Sequence, residues 1–446
     1  LNCIKLLLLK WINIMNKYIS IVTCFIWICC YARADDIEKA PVEYSKTQPA
    51  NTIVDLKKRL AQGHARLVYR EEDGYLRSLL KELDIPLSSQ VLVFSKTSLQ
   101  RGKISPKTPR AIYFNDDVYL GYCLRGHVIE ISVADTRLGT VFYTLEQEHQ
   151  QKPELPRQTE NCMICHASSY NHGFPGHLVR SVFPDRHGEP LLALGSYRTD
   201  QTSRFEDRWG GWYVTGTHGP QKHLGNQSYT KTGDSTDPSL ATQNVTDLSQ
   251  HFTVGLYPSP HSDLVALMVL EHQAMMHNRF TRALLETKQA LYYQEELNKA
   301  FNEKPGTLFD STQRRLEGLA ENLVKYMLMS QEARLSHPIS GTSGFSGEFA
   351  QRGPQDKKGR SLRDFDLKTR LFKYPCSYLI YSKSFDALPP IVLEKTYAKL
   401  LQVLNGKDSS KAYEHLTAAD KTAIKEILLD TKPNLPASWK TDVVQR

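Results

Sequence analysis

The period of apolar and polar positions changes twice along this chain, and the changes divide it. Two short stretches at helical spacing, residues 53–60 and 74–83, come before four runs rich in Val, Ile, Tyr and Phe at 111–114, 118–123, 127–133 and 140–145. Asn115-Asp116, Arg125-Gly126 and Arg137-Leu138-Gly139 separate the runs, which predicts an antiparallel β-meander. Residues 146–158 are polar and carry Pro153 and Pro156, the marks of a loop. A segment rich in Gly and His follows, and then residues 226–250, whose Thr, Ser, Asn, Gln and Asp read as a linker or surface loop.

Beyond that the period becomes helical. Ser262-Asp263 offers a side-chain cap for a long helix running to about Phe301, its first half apolar on most sides and therefore expected to be buried. Further helices are predicted at 308–335, 391–404 and 417–429. The expected fold class is α+β, with an N-terminal meander and a mostly helical C-terminal half. The expected divisions are a leader over 1–34, an α+β segment over 35–158, a binding segment with its linker over 159–250 and a helical domain over 251–446.

The leader reading rests on Met15 to Lys17 as a short positive start, an apolar run from Ile19 to Tyr31, and Ala32-Arg33-Ala34 before Asp35-Asp36 as a cleavage site. Because the chain opens on Leu1, residues 1–14 are read as an over-extended or unusual start. The run is shorter than the roughly 20 apolar residues of a membrane span, so no stable span is expected once the leader is removed. Removal takes Lys5, Lys10, Lys17 and Arg33 and no acid, so the formal charge falls from +8 to +4. So small a charge, with both signs interspersed, gives no warrant for nucleic-acid binding.

Chemistry concentrates at Cys162-Met163-Ile164-Cys165-His166. Cys-x-x-Cys-His is the attachment signature of a c-type haem: two thiols form thioethers to the porphyrin, and the next histidine ligates iron. Half a zinc site, a thiol redox pair or a small disulfide would each leave His166 unexplained, and a zinc site needs a second ligand pair that the sequence lacks. The motif occurs once, so one covalent haem c is expected. Of the other cysteines outside the leader, Cys123 and Cys376 are either a disulfide or two buried thiols.

Six of the chain's 15 histidines fall between 159 and 226, a density that suggests ligands. Within that segment Arg208-Trp209-Gly210-Gly211-Trp212-Tyr213-Val214-Thr215-Gly216-Thr217-His218-Gly219 is read as an aromatic ribbon against the porphyrin, with Trp209 and Trp212 packing on it. Arg208, like Arg180 and Arg198, is a candidate partner for the propionates. His218 is the first candidate for the second iron ligand and His177 the next; Met268, Met275 and Met276 on the long helix are the methionine candidates, and an open sixth position is the remaining alternative. Glu271 and His272, which share that helix, are candidates for proton transfer or else a core pair. The run Gly341 to Gly347 lacks the Gly-Lys-Ser/Thr ending of a phosphate loop, and the Arg360 to Leu367 alternation reads as a local ion-pair network, with Arg363 a remoter propionate candidate.

The ribbon 208–219, Ser262-Asp-Leu-Val-Ala-Leu-Met-Val-Leu-Glu-His-Gln, Arg360-Ser-Leu-Arg-Asp-Phe-Asp-Leu and Tyr374-Pro-Cys-Ser-Tyr-Leu-Ile-Tyr-Ser resemble a family of secreted bacterial proteins known as cytochrome c domain-containing. The likeness covers most of the chain after the leader. It implies haem binding at Cys162, Cys165 and His166 and leaves the reaction undefined. The expected function is that of a periplasmic or secreted mono-haem cytochrome serving electron transfer to a redox partner, possessed alone or as the redox module of an oxidoreductase. The alternatives are a haem oxidoreductase acting on peroxide or a sulfur or nitrogen species, with His218, Glu271 and His272 as catalytic candidates, and a haem-based gas or redox sensor.

Overall fold

A computed structural model describes residues 35–230 and 239–444; the expected leader lies outside the described residues. The fold is α+β. The chain begins with α1 (Thr52–Ala61), capped by the Asn51 side chain, which accepts from the N–H groups of Ile53 and Val54, and α2 (Leu76–Glu82). It then enters β1 (Val91–Val93), β2 (Arg110–Phe114), β3 (Val118–Tyr122), β4 (Val128–Asp135), β5 (Gly139–Glu146) and β6 (Arg157–Gln158). The Cys-x-x-Cys-His segment forms α3 (Asn161–His166), followed by the hairpin β7 (Arg180–Val182) and β8 (Ser196–Arg198) and by β9 (Trp212–Tyr213).

The meander is present as predicted, and the sheet extends beyond it. Its order is β6-β5-β4-β3-β2-β1-β9, all antiparallel, with β9 from the aromatic ribbon closing one edge through Leu92↔Tyr213 and Val93↔Trp212. Because side chains alternate between faces, register decides what each face offers. Tyr119, Ser132, Phe142 and Gln158 are paired in one row across β3, β4, β5 and β6. Ile112, Gly121, Glu130 and Thr144 form the adjacent row on the same face, with Arg110 two residues before Ile112. The other face carries Tyr113, Leu120, Ile131 and Tyr143, all buried, and is tied to the N-terminal helices by the Tyr143 hydroxyl accepting from Asn51 at 3.2 Å.

The helical half consists of α4 (Leu264–Ala300), α5 (Asp310–Met327), α6 (Phe345–Gln351), α7 (Lys383–Asp386), α8 (Pro390–Leu404), α9 (Ala418–Thr431) and α10 (Ala437–Val444). As its apolar character predicts, every residue of α4 from Leu264 to His277 is buried, and the helix packs on β5 and α5. One carboxylate organises its start. Asp263 Oδ1 caps Val265 and Ala266, while Oδ2 accepts from the N–H groups of Thr342 and Ser343 in the glycine-rich loop. A Cβ on Gly341 would lie 2.2 Å from that Oδ2, so glycine there serves close approach. One hydrophobic cluster runs from Ile37 through the sheet and α4 to Trp439.

One expectation changes and one open alternative is decided. Helix α5 ends at Met327, eight residues before the predicted 335, because Met329 takes a left-handed φ of 59°. The Ser330 N–H reaches Lys325 O at 3.0 Å and the Met329 N–H reaches Tyr326 O at 3.1 Å, which is a Schellman stop with methionine where glycine is usual. Cys123 and Cys376 are two free, buried thiols, and burial pushes the pKa of each up to about 12.

Candidate functional site

Helical spacing puts Cys162 and Cys165 on one face of α3, with His166 beside them four residues after Cys162. Both thiols are free; Cys165 is exposed and Cys162 half-buried, with burial raising the Cys162 pKa to about 11. Ile164, between them, is 76 % exposed, so the motif forms part of the surface.

His166 is held by a reciprocal tie. Its Nδ1 lies 2.7 Å from the Gly176 carbonyl oxygen, and the Gly176 N–H donates to the His166 carbonyl at 2.9 Å. A carbonyl only accepts, so Nδ1 carries the proton and Nε2 is the bare nitrogen, the tautomer and second-sphere bond typical of a metal-ligating histidine. Burial lowers the pKa of His166, which favours this neutral form, and the ring packs on Phe142 at 4.7 Å.

The tie depends on a clamp from α4. The Asn278 side chain accepts the His177 N–H at 2.7 Å and donates to the His177 carbonyl at 2.8 Å. A Cβ on Gly176 would lie 2.4 Å from Asn278 Oδ1, so only glycine fits between clamp and histidine. Beyond it, three histidines follow a single sheet row: His166 on Phe142, His177 on Ser132 (3.2 Å) and Tyr119 (ring centroids 4.3 Å), and His277 on the Tyr119 hydroxyl (2.9 Å). His177 and His277 are buried, which holds both well below the ordinary histidine range, and the Nε2 of each has no partner among the described residues.

Arg110 and Glu130 supply the charge around the motif. They form an ion pair on the row beside Phe142, and both act electrostatically on Cys162 and His166. Arg110 can lie across β3 because position 121 is glycine; a Cβ there would sit 2.1 Å from its Nη2.

The other sequence candidates lie elsewhere in the polar core. His218 accepts the Asn244 N–H on Nε2 at 3.0 Å and rings with Phe205 and His223, so it is not brought to α3 by any of these contacts. His177 follows Gly176, and its ring is engaged by Ser132 and Tyr119. Trp209 is fully buried against Phe205 and His223, and the Trp212 indole donates to Arg180 O at 2.8 Å. The flat partner for which Gly210 makes room is the Val182 backbone, 2.2 Å from a Cβ placed there. Arg208 is 1 % exposed, with its guanidinium occupied by Glu271 (2.9 Å), Gln201 O and Ser203 O. Glu271 is fully buried, and burial pushes its pKa up to about 7 against the opposing pull of Arg208. His272 is satisfied at both nitrogens, by Gln201 Oε1 at 2.6 Å and Ser377 Oγ at 2.8 Å. Met268, Met275 and Met276 are packed in the core, and Arg363 pairs with Asp116 over Phe349.

Sequence reasoning passed over Gly176, Asn278, Phe142, Arg110 and Glu130. For the last three the signal was available: the period of two puts them on one sheet face. Gly176 and Asn278 are 102 positions apart in number and only the fold joins them. Among the described residues no three His, Cys, Asp or Glu side chains converge to hold a metal ion, which gives no support to a protein-built zinc site at the cysteines. No described helix is long and apolar enough to cross a membrane. No family model matches the chain, and no curated protein or solved structure is significantly similar to it.

Proposed function

We propose that the protein is a periplasmic or secreted c-type cytochrome with one haem, and that its function is electron transfer, alone or as the redox module of a larger oxidoreductase. Cys162 and Cys165 would hold the porphyrin through thioethers, and His166 Nε2 would ligate the iron. The bound group would supply a one-electron couple; everything else is the work of the chain. The observation that carries the reading is the pair of bonds between His166 and Gly176, which fix the tautomer and leave Nε2 as the bare nitrogen of a histidine that shares a six-residue helix with two unpaired cysteines.

The residues fit the role. Asn278 aligns the Gly176 carbonyl, which orients the imidazole and raises its basicity. Arg110 and Glu130 set the local potential. Thioether attachment takes place outside the bacterial cytoplasm, which agrees with the leader reading of residues 1–34.

Absorption spectra of the matured protein, ferric and ferrous, with and without carbon monoxide, test the function. A low-spin spectrum indifferent to carbon monoxide fits electron transfer, whereas a carbon monoxide-sensitive spectrum overturns it in favour of catalysis or sensing on an open iron.

A further inference from the structure

A cleft of ≈ 1190 Å³ opens between α5, the turn that follows it and the start of α9. Its walls carry five cationic side chains, Arg279, Lys325, Arg334, Arg370 and Lys411, against the carboxylates of Glu332, Glu414 and Asp420. Two of the cations are answered from within the protein, Arg370 by Asp420 at 2.6 Å and Lys325 by Glu321 at 3.3 Å. Arg279, Arg334 and Lys411 make neither an ion pair nor a hydrogen bond among the described residues.

Arg279 is the telling member. Its guanidinium lies over the Tyr326 ring, 4.4 Å from the centroid, and its Nε is buried without a partner. Tyr326 itself is 2 % exposed, and its hydroxyl lies against the Gln201 backbone. Buried polar groups are nearly always satisfied, and the Arg279 Nε has no partner among the described residues, so an incoming anion can supply one. Most ligand pockets are chiefly apolar. This one is lined by cations and by the hydrogen-bonding side chains of Asn322, Ser330 and Thr369, so its ligand is charged. The left-handed turn at Met329 and Gln331 brings the chain back across the cleft and carries Arg334 to its rim.

We propose that this cleft binds a small polyanion, a multiply charged carboxylate or phosphate compound, between Arg279, Arg334 and Lys411. Guanidinium groups take such ligands through paired N–H donors, and a partly desolvated arginine binds them more strongly than one in water. The proposal does not depend on the haem reading: none of the cleft's residues belongs to α3, although Arg279 follows the clamp residue Asn278 on α4.

Calorimetric titration of the full protein with citrate and with pyrophosphate, at low ionic strength, tests it. Saturable one-to-one binding of either anion is expected, and which of the two binds identifies the source of the charge. Arg279→Gln and Arg334→Gln should each weaken it about tenfold or more. Arg314→Gln removes an exposed cation of α5 outside the cleft and should leave affinity unchanged. Arg334 is exposed, so its variant remains informative if Arg279→Gln fails to fold. Absence of saturable binding to both anions, or an Arg314→Gln loss equal to that of Arg334→Gln, overturns the proposal.

Discussion

The side-chain amide of Asn278 holds the main chain of His177 from both ends, accepting its N–H at 2.7 Å and donating to its carbonyl at 2.8 Å. Through this clamp the long buried helix sets the position of the preceding carbonyl, Gly176, on which the orientation of His166 depends. Burial in the C-terminal half is thereby converted into geometry at the Cys-x-x-Cys-His motif.

Asn278→Ala removes both bonds and loosens the acceptor of the His166 Nδ1 proton. A histidine with a weaker Nδ1 bond is a poorer donor to ferric iron, so the reduction potential should rise, as read by spectroelectrochemical titration. Stability should fall by about 1–3 kcal/mol, the cost of leaving the His177 groups unpaired. An unchanged potential in a folded variant would show that the clamp has no bearing on the ligand.

Glu271 gives a pH dependence of known sign. Burial raises its folded pKa from 4.5 to about 7. The folded state therefore holds its proton more tightly than the unfolded state does, and the carboxyl's contribution to stability is greatest below 4.5 and declines as pH rises to about 7. Glu271→Gln cannot ionise, so the stability difference between wild type and variant should change between about pH 4.5 and pH 7, with the wild type losing ground, as measured by urea unfolding. A pH-independent difference would contradict the assignment. Glu271→Ala should be far more damaging, on the order of 3–5 kcal/mol, because it strands Arg208 without its carboxylate.

His272 acts in the opposite direction. Its folded pKa is held at about 3, chiefly by burial, below the ordinary 6.5. The unfolded chain takes up the proton first, so the stability this residue contributes is complete above 6.5 and is lost as pH falls toward 3, with a slope of about 1.4 kcal/mol per unit. His272→Gln should flatten the acid limb of the unfolding curve, and an acid limb identical to wild type would refute the prediction.

Much of this architecture can be read from the residues, and what cannot has physical reasons. Asp263 announces the start of α4 because its cap is local, bonding residues two and three positions on. The meander is legible because Asn115-Asp116 and Arg137-Leu138-Gly139 are local turns between runs of β-formers. Strand β1 was not predicted: it is three residues long, paired on one side with β2 (Val91↔Ile112) and on the other with the two-residue edge strand β9, more than a hundred positions away. The early stop of α5 escaped because Met329 occupies a position for which glycine is the usual signal. In the candidate site, the Cys-x-x-Cys-His spacing was plain, but the packing of the ribbon 208–219 was not legible: Gly210 accommodates the Val182 backbone, Gly211 lies against Ser95, and Trp209 and Trp212 are buried. Asn278 carried no signal, because an asparagine on a long helix looks the same whether it faces solvent or clamps a distant loop.

The central claim is that Cys162 and Cys165 hold a haem covalently. The most direct measurement is haem staining of a denaturing gel, with a pyridine haemochrome quantification, on protein exported from a host that has haem c maturation machinery. One haem per chain, surviving denaturation in wild type and lost in the Cys162→Ala, Cys165→Ala double variant, is the predicted result. A folded, exported protein with no haem, or with haem that leaves on denaturation, would contradict the account.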